Sequence, residues 1–163
     1  EPFLLTMNVI RGLGCKSAVR DANDSREIWK NRNQRPFEAY SVFNFYPPNH
    51  RTQGTNVLAP EQKLLNSNEF GIRMWQVSSV MSDETVLNNA GCDTESIKTA
   101  AAISDEKLLD LLSERYFRGA IPATLAKSLI DANKSYWKRD KPLDLAGVML
   151  DMASLSPAFG VIK

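Results

Sequence analysis

The side chains that do most hydrolytic and metal chemistry are scarce in this chain of 163 residues, which holds one histidine, His50, and two cysteines, Cys15 and Cys92. A serine or cysteine nucleophile paired with an imidazole, or a two-histidine metal motif, would have to be built around His50. His50, Cys15 and Cys92 stand at unrelated spacings, so no metal site and no cofactor is expected. Two cysteines cannot frame a disulfide-rich fold. They are expected as free buried thiols, with a Cys15–Cys92 bond as the alternative in an exported protein. Among the carboxylates, Glu61 follows Pro60, a residue suited to the first position of a helix. Glu61 then falls in the first turn, where free amides and the helix dipole favour an acid. The same carboxylate is a candidate general acid or base, with His50 as a nearby titrating group, provided that it faces a concave site.

The segment that would frame such a site is 36–60. Phe37, Tyr40, Val42, Phe43, Phe45 and Tyr46 precede Pro47, Pro48 and Gly54 without a helical period. Prolines exclude a regular helix, and a loop this long within a compact domain packs or binds something. Two uses follow. The rings plug the core, which predicts burial of Phe43 and Phe45, or Phe43, Asn44, Phe45, Tyr46 and His50 form a ligand surface.

Helices must carry this loop. Met7, Ile10 and Leu13 recur at helical spacing from Phe3 onward, with Gly12 and Gly14 as the stop. A short helix is predicted over 24–31, beside a solvated Lys30, Arg32, Arg35 cluster. Another runs from Pro60 to about Leu65. Asn66 and Glu69 resemble a capping box ahead of a helix over about 67–81 that includes Trp75. Residues 82–103 are mostly small and polar, with Ala100 to Ile103 as helix or linker, and read as a surface connection. The segment 104–157 is three helices. Ser104 caps the first, whose inner face is Leu108, Leu109, Leu112 and Tyr116, and Gly119 ends it. Pro122 opens the second, with Leu125, Leu129 and Tyr136 in period, and Pro142 opens the third. That third helix is apolar on nearly all sides, with Asp144 and Asp151 as its wet face, and Pro157 closes it. Buried Leu129, Met149 and Met152 are expected, together with Trp75. No strand ladder is visible, so the fold class is all-α, five or six helices in an orthogonal or bundle-like array with one long aromatic, proline-containing loop, in a single domain.

Charge narrows the partners. Twenty basic residues oppose nineteen acidic ones, with a net +3 over residues 1–80 and −2 over 81–163. Neither half has the electrostatic footprint of a nucleic-acid binder, and no apolar run reaches the length of a membrane span. The chain begins at Glu1 with an apolar helical pattern, which reads as a fragment or processed product in which no signal is visible.

Several segments together resemble the bacterial domain of unknown function 1800 family. Ser41-Val42-Phe43-Asn44-Phe45-Tyr46, Pro48-Asn49-His50 and Leu58-Ala59-Pro60-Glu61 look like its signature stretch. Glu1-Pro2-Phe3 with Val9-Ile10-Arg11 is similar to the segment before that signature, and Arg118-Gly119-Ala120-Ile121 with Leu155-Ser156-Pro157-Ala158-Phe159 is similar to its closing helices. The resemblance implies that the chain is about the last third of a longer, exported protein, periplasmic or extracellular. It also implies a co-encoded exported protein of a second family, but no reaction.

Two functions are therefore expected in turn. The first is a binding or assembly module whose loop 41–61 docks the remainder of its own polypeptide, a co-encoded exported protein or a carbohydrate. The second is part of a hydrolase-like enzyme, completed by a missing amino-terminal region, with Glu61 and His50 as catalytic candidates.

Overall fold

The computed structural model describes residues 2–17, 39, 41–64, 71 and 77–160. These residues are all-α: α1 (Pro2–Gly12), α2 (Glu84–Asn89), α3 (Thr94–Ile103), α4 (Asp105–Phe117), α5 (Ala123–Ser135) and α6 (Pro142–Ser154), with 3-10 turns at Pro60–Leu64 and Pro157–Gly160 and a helical turn at 77–81. The helix over 24–31 with its basic cluster, Phe37, Tyr40, the Asn66–Glu69 box and Trp75 lie outside the described residues.

Local chemistry sets most helix starts. Asp83 accepts from the Val86 amide ahead of α2, Asp93 from Ser96 ahead of α3, and Ser104 from Lys107 ahead of α4. Each carboxylate or hydroxyl satisfies an amide that the first turn leaves free. The expected surface connection 82–103 is thus two capped helices that bury Val86, Leu87 and Ile97. At the other end of α4, Arg118 and Gly119 both adopt positive φ and reverse the chain. Pro122 stands just outside α5, which stops at Ser135 because Tyr136 is extended. Pro142 occupies the first position of α6, as its fixed φ favours.

α6 is the central element, packed by α3, α4 and α5, while α5 and α3 also lie on α4. Ten of its thirteen residues are buried. The nearly all-apolar pattern thus finds its neighbours within the described residues. Asp144 and Asp151 are not a wet face, however, since both are buried. The Asp151 carboxylate accepts from the amides of Val77, at 2.8 Å, and Ser78, at 3.2 Å, so it ties the turn at 77–81 to α6. Gly147 allows that approach. A Cβ there would sit 2.7 Å from the Ser78 Cα. Leu129 and Met149 are buried as expected, but Met152 is 37% exposed, on the side of α6 away from its neighbours.

α1 packs on α4, and Val9 with the following Leu13 joins the main core. Gly12 is its last residue, with the Tyr116 ring directly over it, where a Cβ would come 2.2 Å from ring carbon Cε1. Gly14, with φ 65°, makes the turn. The Tyr116 hydroxyl donates to the Val9 carbonyl at 3.0 Å, and its ring stacks on Phe159. Burial pushes the Tyr116 phenol well above its ordinary value of 10. An unfolded tyrosine ionises near 10 while the folded one stays protonated, so this stability is complete below pH 10 and is lost as pH rises beyond it. The urea midpoint of the wild type should therefore fall more steeply above pH 10 than that of Tyr116→Phe. Parallel pH profiles would refute this assignment.

The cysteines are bonded. Cys15 follows the Gly14 turn and Cys92 follows α2, and the amides of Lys16 and Ser17 both donate to the Ala90 carbonyl. Those bonds lay the two segments side by side, and the sulfurs meet at 2.02 Å, so the expectation of two free thiols is overturned.

Candidate functional site

The loop that sequence singles out is a chain of turns. The Asn44 amide donates to the Ser41 carbonyl at 3.0 Å, with Asn44 in the left-handed region, and the Phe43 amide donates to the Ser41 hydroxyl. The Tyr46 amide then donates to Phe43, and that of His50 to Pro47. Beyond the prolines the backbone folds into a narrow antiparallel pair, with Thr52 donating to Val57 and Ala59 to His50, each at 3.0 Å. Gly54, with φ 78°, closes its tip, and Thr55 bonds twice to the Thr52 carbonyl. The Arg51 guanidinium donates to the Asn56 carbonyl, and the Thr52 hydroxyl to Gln62 Oε1 at 2.8 Å. Most of this path is fixed by its own hydrogen bonds.

The left-handed residue sends its neighbours in different directions. Phe45 is buried, as are Ala59 and Leu64, whereas Phe43 is 58% exposed and Val42 95%. The expected burial of Phe43 is therefore wrong, because the Ser41–Asn44 turn projects it outward. Val57 and Leu58, on the returning arm, are also exposed. Of the five expected binding residues, Phe43 and Asn44 are exposed, Tyr46 and His50 are half-buried and Phe45 is interior.

The catalytic candidates are brought near one another but not coupled. The Ala59–His50 backbone bond sets the beginning of the 3-10 turn beside His50. Glu61 stands exposed on that turn, the short helix expected from Pro60, which takes the 3-10 form over Pro60–Leu64. Among the described residues no hydrogen bond or ion pair joins the two, and no cluster of three His, Cys, Asp or Glu side chains could hold a metal. No described helix is long and apolar enough to cross a membrane.

Two features escaped sequence reasoning. Asp105, buried at the start of α4, accepts from Asn133 Nδ2 at 2.8 Å and from the Arg139 guanidinium at 2.9 and 3.0 Å, while Arg139 also donates to the Asn133 carbonyl. This lock presents Trp137, 80% exposed, on the α5–α6 turn with the Lys138 ammonium over its ring. The Trp137-Lys138-Arg139 triplet was its only sequence signal. The second is a shallow groove of about 420 Å³ between α3 and α4, lined by Ala100, Ile103, Lys107 and Leu111. Compared with family models, curated proteins and solved structures, the chain finds no match.

Proposed function

We propose that the chain is a helical binding or assembly module that contacts a protein partner through loop 41–61, within an exported protein of the kind the domain of unknown function 1800 resemblance implies. The observation that carries this reading is the exposure of Val42, Phe43, Val57 and Leu58 on a segment locked by its own turns. Preorganised apolar side chains bind without a large ordering cost. Three of the four are branched aliphatics, which suit a protein surface better than the flat rings that stack on sugars. The Cys15–Cys92 bond supports export, because such bonds persist in oxidising compartments. The catalytic alternative has less support, since Glu61 stands in solvent and its carboxylate is not paired with His50.

A photo-crosslinking amino acid at position 43 tests this in the producing cell. One discrete adduct is expected, and it should vanish on Val42→Asp with Leu58→Asp while the melting temperature is unchanged. The same diffuse adducts as from a probe at exposed Lys127 would reject the docking surface.

A further inference from the structure

We infer that α1 is a redox-fastened strap: closed over the helical body when Cys15 and Cys92 are bonded, and released when a dithiol reductant opens that bond. The placement of the bond carries the argument. α3, α4, α5 and α6 pack on one another, whereas α1 meets the body along one side only: along α4, where Val9 and the following Leu13 enter the main core, and through a second small apolar cluster of Ile10, Val86 and Ala90 beside the two cysteines. Among the described residues, polar links reinforce it from Tyr116 to the Val9 carbonyl, from Arg115 to the Gly12 carbonyl and from the Asp93 amide to the Leu13 carbonyl, and beside the cysteines from the Lys16 and Ser17 amides to the Ala90 carbonyl. The disulfide spans 77 residues of sequence and is the covalent tie between the end of α1 and the α2–α3 corner. Cys15 and Cys92 are both half-buried, not sealed in the core. A terminal helix packed on one side of a body whose other described helices hold one another is the kind of unit that opens without global unfolding.

The exchange balances. A thiolate of the dithiol attacks one sulfur, a mixed disulfide forms and the other cysteine leaves as thiolate. The second thiol of the reductant then displaces the remaining cysteine, so the reductant ends oxidised to its own disulfide, and two electrons and two protons reside on Cys15 and Cys92. Release uncovers the buried sides of Val9, Ile10 and Leu13 and the face of α4 that carries Tyr116.

Amide exchange measured by mass spectrometry on the whole chain, oxidised and after dithiothreitol reduction with alkylation, tests the strap. Peptides within 2–14 should exchange roughly a hundredfold faster after reduction, and a dye that reports apolar surface should bind, while 105–117 and 142–154 keep their protection. Cys15→Ala with Cys92→Ala should reproduce the open form without any reagent. In that background Tyr116→Phe should loosen 2–14 further, and in the oxidised wild-type background it should not. Unchanged exchange in 2–14 would overturn the inference. So would loosening of 105–117 and 142–154 together with α1, which would make the bond a staple of the whole fold.

Discussion

Asp151→Ala lowers the unfolding free energy by about 2–4 kcal/mol, because it removes from the core the charged acceptor to which two backbone amides donate. The carboxylate, only 5% exposed, receives Val77 and Ser78 from a segment more than seventy residues away. Nothing in α6 itself needs an acid so near its end, where the dipole disfavours one. The cost should appear as a lower urea midpoint with little change in slope, since the folded and unfolded states expose similar areas. Asp151→Asn retains one acceptor oxygen and should lose less. Stability equal to wild type in Asp151→Ala would mean that another acceptor replaces the carboxylate.

Met149→Ala should cost about 2–5 kcal/mol, the range for emptying a close-packed core site. Met149 is fully buried among α3, α4 and α5, two residues before Asp151. Met152, three residues further along the same helix, is partly in solvent, and Met152→Ala should cost about 1 kcal/mol or less. Chemical denaturation of the two variants side by side separates the core face of α6 from its outer face. Equal losses would contradict the packing described above.

The contrast between these methionines marks what sequence could tell. Period and punctuation are local properties, so α1, α4 and α6 were legible from apolar spacing, Ser104, Gly119 and Pro142. α2 and all of α3 before Ala100 were not, since Val86, Leu87 and Ile97 are too sparse to make a pattern in helices of six and ten residues. Their caps, Asp83 and Asp93, look like ordinary loop acids until the amides they receive are known. Asp151 was misjudged for a related reason: its partners come from a distant segment, and polarity alone cannot distinguish a solvated acid from a satisfied buried one. In the candidate loop the position was legible, but its facing was not. One left-handed residue, Asn44, decides that Phe43 points out while Phe45 goes in, and no composition rule reports it.

Asp93 holds three junctions at once. Its carboxylate caps α3 and pairs with Arg115 of α4, its amide ties the chain to Leu13 past the end of α1, and its neighbour is the bonded Cys92. Groups that share partners in this way do not contribute independently. Substitutions at Cys15, Cys92, Asp93 and Arg115 are therefore epistatic, and a drifting lineage would change them as a set, while positions on the outer face of α5 wander singly.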